Sequence, residues 1–90
     1  MAHVKRWDVR IYIDEHDDNS TRAEARLRPG EHSRLVGVGI AQRNPRDPKV
    51  PEVGDELAAA RALSELAHRL MRTTAEDIEQ ITHESVHLHQ

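Results

Sequence analysis

Hydrophobic and polar residues alternate with a period of two along three early stretches of the chain, and with a helical period along one later stretch. Trp7, Val9, Ile11 and Ile13 alternate with Asp8, Arg10, Tyr12 and Asp14. Such alternation with β-branched residues predicts a half-buried strand. The polar run from Asp14 to Ser20 predicts a connecting loop. Thr21 to Arg28 alternates again, with Ala23, Ala25 and Leu27 on one side and Arg22, Glu24, Arg26 and Arg28 on the other. The small alanines imply that something lies close over this strand. Pro29-Gly30 predicts a turn. Arg34 to Gln42 is a third strand with Val36, Val38 and Ile40 on one face. Leu35, Gly37, Gly39 and Ala41 fall on the other, which this reading leaves open beside Tyr12 and the arginines. Glycine within a strand marks a bend or a close backbone approach.

Pro45, Pro48 and Pro51 make the segment Asn44–Pro51 an extended linker, because proline removes a donor and fixes the backbone. Val53 to Met71 then reads as one helix, with Ala59, Ala62, Leu63, Leu66, Ala67 and Leu70 on one arc and Arg61, Glu65, Arg69 and Arg72 opposite. Thr73 with Glu76, or Thr74 with Asp77, fits a capping box for a second, short helix that buries Ile78 and Ile81. The expected fold class is α+β in the order β-β-β-α-α. It is a three-stranded antiparallel sheet with a long helix on one face and a short C-terminal helix.

A chain of 90 residues forms one domain, 1–90, with an expected structured core over about 5–82 and a flexible tail over 83–90. One Trp, one Tyr and no Phe leave the core to Val, Ile, Leu and Ala. The core is therefore thin and stability marginal. The absence of cysteine excludes a disulfide framework and a thiolate zinc site. No apolar run has the length of a membrane span or the form of a signal peptide, so a cytoplasmic protein is expected. The net charge of −3 is unevenly spread. Residues 1–50 carry 10 Lys/Arg against 8 Asp/Glu, and residues 51–90 carry 3 Arg against 8 Asp/Glu.

Several segments together resemble a family of small, uncharacterised actinobacterial proteins with a fold like the double-stranded-RNA-binding domain. They are Ile13-Asp14-Glu15-His16, Thr21-Arg22-Ala23-Glu24-Ala25-Arg26-Leu27, Val36-Gly37-Val38-Gly39, Gly54-Asp55-Glu56-Leu57, Ala60-Arg61-Ala62-Leu63-Ser64 and Asp77-Ile78-Glu79. The resemblance runs from about Trp7 to His83. It implies a homodimer shaped like ribosome hibernation factors, and its family includes dormancy-associated proteins induced by low oxygen. It brings no established activity and no residue with a proven role. One departure matters. Double-stranded-RNA-binding domains use basic residues at the start of the main helix to reach phosphates. Here Glu52, Asp55 and Glu56 stand there. They suit the helix dipole and repel polyanions.

Nucleic acid, if bound, would thus meet the sheet. Arg10, Arg22, Arg26 and Arg28, with Arg34 and Arg43 at strand ends, form the candidate RNA or ribosomal-RNA surface. A solvated face balanced by Asp8, Asp14 and Glu24 explains the same residues. Tyr12 is the one stacking candidate, which disfavours single-strand recognition. Leu35, Gly37, Gly39 and Ala41 form a candidate dimer contact. His83, His87 and His89 with Glu84 sit in an expected tail and lack the fixed geometry zinc needs. Glu15-His16-Asp17 has acid–base chemistry but no accompanying nucleophile or phosphate motif. The expected function is a non-enzymatic, stress-associated binding protein without cofactor or small-molecule substrate, docking on the ribosome or structured RNA as a dimer. A protein-interaction module with no nucleic-acid role is the alternative.

Overall fold

The computed structural model describes residues 3–16, 19–28, 35–83 and 88. Strands β1 (Asp8–Glu15), β2 (Ser20–Arg28) and β3 (Val36–Gln42) form an antiparallel sheet in the order β1-β2-β3, followed by a single helix, α1 (Pro51–Thr82). The α+β class and the three-stranded sheet agree with the sequence reading. The turn at Pro29-Gly30, the position of Arg34 and most of the tail lie outside the described residues.

The second, short helix is not there: α1 runs unbroken for 32 residues. Thr73 and Thr74 do not cap a new start. Their hydroxyls donate to the carbonyls four residues back, at Arg69 (3.0 Å) and Leu70 (2.9 Å), as helix-interior threonines do. The helix begins at Pro51, earlier than the hydrophobic arc indicates, because proline suits a first turn whose N–H groups are unbonded anyway. It ends where His83 takes the left-handed conformation (φ 59°) and donates its N–H to Glu79 O at 2.6 Å. At about 1.5 Å per residue it spans most of the molecule's 52 Å length and runs on past the sheet.

The register decides which side chains share a face, since directly opposed residues in an antiparallel pair point the same way. Ala23 pairs with Ile13 and Gly39, and Ala25 with Ile11 and Gly37. This face carries the core of Ala23, Ala25, Leu27, Ala41, Ala58, Ala62 and Leu66, with Leu35 and Leu70 packed at its margin. The expected orientation of β3 is therefore inverted. Gly37, Gly39 and Ala41 are buried under the helix, and the side with Val36, Val38 and Ile40 is the open one. A Cβ on Gly37 would strike the Ala62 carbonyl oxygen and the Leu66 backbone nitrogen. A Cβ on Gly39 would strike the Ala58 carbonyl oxygen and the Ala62 nitrogen. Bare backbone on the strand lets α1 settle directly onto β2 and β3, with Ala58 and Ala62 at the contact. The same placement leaves β1 almost untouched by the helix.

Candidate functional site

The open face of the sheet brings together most of the basic residues singled out above. Across it, Asp8 opposes Arg28; Arg10 lines up with Arg26 and Val36; Tyr12 with Glu24 and Val38; Asp14 with Arg22 and Ile40. Glu24 sits at the centre. Its Oε1 accepts from Arg22 Nη1 at 2.8 Å, and its Oε2 accepts from Arg26 Nη2 at 2.8 Å and Nε at 3.2 Å. The Arg26 guanidinium also lies over the Tyr12 ring, 5.2 Å from its centroid, within cation–π range.

These contacts shift the charged groups as expected. Arg26 first, and Arg22 second, hold the Glu24 carboxyl below the ordinary glutamate range. Glu24 in turn raises the Arg26 guanidinium above its ordinary value. Two guanidiniums share one carboxylate, so this centre carries one surplus positive charge. Around it, Arg6 pairs with Asp8 at 3.3 Å and His16 Nε2 lies 3.6 Å from Asp14. Arg10 and Arg28 have no ion-pair partner among the described residues. With Arg6 at its edge, the face as a whole sets Arg10, Arg22, Arg26 and Arg28 against Asp8, Asp14 and Glu24, five guanidiniums to three carboxylates. Between the charges it is apolar: Ile40 and Tyr12 are about half exposed (49% and 48%), with Val36 and Val38 partly covered.

Arg43 is not part of this face. Its Nη1 donates to Asp47 O at 2.5 Å, its Nη2 to Asn19 Oδ1 at 2.7 Å, and its backbone N–H to Asn19 O at 2.7 Å. It ties the proline-rich linker to the β1–β2 connection, a structural task. The candidate dimer strip also fails as a surface. Gly37, Gly39 and Ala41 are covered by α1 and Leu35 packs at the core margin, so they contact their own helix rather than a second subunit.

Two features lay hidden in the sequence. A cleft of about 360 Å³ opens where the linker meets the start of α1, with Thr21, Ala41, Val53, Gly54 and Leu57 in its wall. Nearby, Asp55 Oδ1 is buried without a hydrogen-bond partner among the described residues. Neither has a local sequence signal, because both arise where distant segments meet. Among the described residues no three His, Asp or Glu side chains converge as metal ligands would. His83 is occupied as the helix cap, and Glu84, His87 and His89 lie outside the described residues, as does Asp17 beside His16. No described helix is long and apolar enough to cross a membrane.

Residues 5–87 match the family model described as Rv2632c-like. The chain belongs to the Rv2632c-like family. Relatives within it are uncharacterised mycobacterial proteins. Mb1767 of Mycobacterium bovis is 52% identical over 85 residues, covering 94% of this chain and 88% of that protein. Rv2632c of Mycobacterium tuberculosis is 48% identical over 85 residues, covering 93% of this chain and 89% of that protein. The family match at residues 5–87 spans the sheet and α1 of this Rv2632c-like chain.

Proposed function

We propose that the protein is a non-enzymatic cytoplasmic binding module that acts as a homodimer and engages a protein partner through the open face of its sheet. The observation that carries this reading is the Arg22–Glu24–Arg26 cluster stacked beside Tyr12. Binding hot spots are rich in Tyr and Arg. Side chains already held by ion pairs lose less entropy on docking. Val36, Val38 and Ile40 supply apolar area between them. Polyanion binding draws its affinity from cations that neutralise phosphates, and here Glu24 engages the two central ones. The acidic first turn of α1, with Glu52, offers phosphate no alternative site.

The test uses the full chain as bait in a nuclease-treated extract of the native cells. The expected result is a stoichiometric protein partner that survives nuclease, is lost in Ile40→Glu and is kept in Arg28→Glu. The resemblance to dormancy-associated, hibernation-factor-like proteins implies the other outcome, stress-linked docking on ribosomes or structured RNA. Co-sedimentation with ribosomes that weakens with salt, and is abolished in Arg26→Glu and Arg28→Glu, would overturn the protein-partner reading in favour of that one.

A further inference from the structure

From the cleft beside the start of α1 we infer a binding site for a small amphipathic amine, its ammonium on Glu15 and Thr21 and its apolar body on Val50, Val53 and Leu57. The site lies on the helix side of the sheet and stands independently of what the open face binds.

The cleft is built into the fold. Its floor is one row of the sheet, in which Glu15, Thr21 and Ala41 pair across β1, β2 and β3. Two-residue alternation puts this row on the same side as the buried Ala23 and Ala25. The start of α1 and the linker supply the walls. Pro48 and Pro51 fix the linker backbone. Arg43 braces it through Asn19 Oδ1 and the Asp47 carbonyl. Within the linker, Asp47 N–H bonds Asn44 O at 2.8 Å and Arg46 N–H bonds Asn44 Oδ1 at 3.0 Å. A preformed space of about 360 Å³ is in the range of small-molecule sites.

Three aliphatic side chains line this space and stay open: Val50 is 46% exposed, Val53 58% and Leu57 41%. Covering them with an apolar body removes that area from water. Gly54 keeps the wall between them low. A Cβ there would stand 3.1 Å from Thr21 Oγ1 and crowd the hydroxyl. Among the described residues Thr21 Oγ1 has no hydrogen-bond partner and the Glu15 carboxylate has no ion pair, so both acceptors are available.

Charge selects the head group. Glu15 and Thr21 oppose each other directly, so their side chains are neighbours on one face. An ammonium brings three N–H donors to them, whereas an anionic head would face the Glu15 carboxylate. Arg43 and Lys49 also line the cleft, with Asp47, on the β3 and linker side, and Arg43 is committed to the brace. The first turns of α1 add Glu52, Asp55 and Glu56 and no cation. Asp55, next to Gly54, has a buried Oδ1 without a donor. A buried carboxylate is costly without a compensating charge or donor, so a cation close by is favoured and an anion opposed.

The test is an amide NMR titration of the full chain with three probes of matched shape: phenethylamine, phenethyl alcohol and hydrocinnamate, which are cationic, neutral and anionic at neutral pH. Phenethylamine is expected to shift the amides of Thr21, Ala41, Gly54 and Leu57 saturably. The alcohol should shift the same amides with an affinity about tenfold weaker, because a charge-assisted hydrogen bond is lost. Hydrocinnamate should leave them in place. Glu15→Gln, an exposed and isosteric change, should weaken phenethylamine by a similar factor and leave the alcohol as it was. An alcohol or hydrocinnamate that binds as well as the amine, or an amine indifferent to Glu15→Gln, would overturn the assignment of the head group. The absence of a saturable shift at these amides with every probe would overturn the site itself.

Discussion

Gly37 meets Ala62 backbone to backbone: the Ala62 carbonyl oxygen occupies the space where a side chain on Gly37 would begin. The contact lets the backbone of α1 lie directly on that of β3. A core of five alanines and two leucines can then close. It also sets the helix over β2 and β3, and so leaves β1 exposed.

Gly37→Ala and Gly39→Ala should each destabilise the fold strongly. The new Cβ would meet helix backbone, which cannot rotate aside, so α1 must lift from the sheet. Overpacking of this kind costs about 1–3 kcal/mol, a large share of the stability of a small domain. Urea denaturation should show a lower midpoint for both. Gly54→Ala is the control. There the Cβ would meet Thr21 Oγ1 at 3.1 Å, the end of a side chain that can turn. Alanine in a helix gains up to about 1 kcal/mol over glycine, so the midpoint should hold or rise.

Thr74→Ala distinguishes one helix from two. If Thr74 capped a second helix, its loss would cost about 1 kcal/mol. In the unbroken α1 its hydroxyl only bonds back to Leu70 O. Alanine should therefore stabilise the helix by a few tenths of a kcal/mol through its higher propensity. The sign of the change in thermal midpoint is the measurement.

Glu24 restrains the charge of the open face, so Glu24→Gln should release it. Arg22 and Arg26 would both lose their anionic partner. The variant should elute from immobilised heparin at higher salt than the wild type, with little change in stability, since surface ion pairs contribute little. Unchanged elution would show that the arginines of this face are not set up to meet polyanions.

The same cluster has a defined pH dependence. The folded-state pKa of Glu24 is lowered, so its ion pairs contribute fully above the pKa of glutamate in the unfolded chain. The contribution is lost as pH falls through the depressed folded value. Carboxyl-carbon NMR titration should place the Glu24 midpoint below that of glutamate in a free peptide. Arg26→Gln should raise it more than Arg22→Gln, because Arg26 is the larger cause.

Much of this was legible in the pattern of residues. The alternation of Ala23, Ala25 and Leu27 with Arg22, Glu24, Arg26 and Arg28 placed both faces of β2 correctly, and the alanines announced a close neighbour. Tyr12 and the arginines of β1 and β2 were rightly put on one open face. The acidic start of the long helix was also plain, although Asp55 proved to lie under it with a buried oxygen. The reading of β3 went astray because that strand is apolar on both sides. Alternation shows which residues share a face, not which face is covered. The threonine pair after Arg72 carries a capping pattern that an uninterrupted helix also tolerates.

From the chain alone came the element types, the thin aliphatic core, the lack of cysteine chemistry and the division of charge between sheet and helix, since each follows from local composition and period. The tertiary structure decided the rest. It chose the glycine side of β3 for the helix, because only bare backbone admits so close an approach. It gathered Arg22 and Arg26 onto Glu24, because strand geometry places alternate residues on one face side by side. It also left β1 with an uncovered apolar strip, because a single helix docked over β2 and β3 cannot span the full width of the sheet.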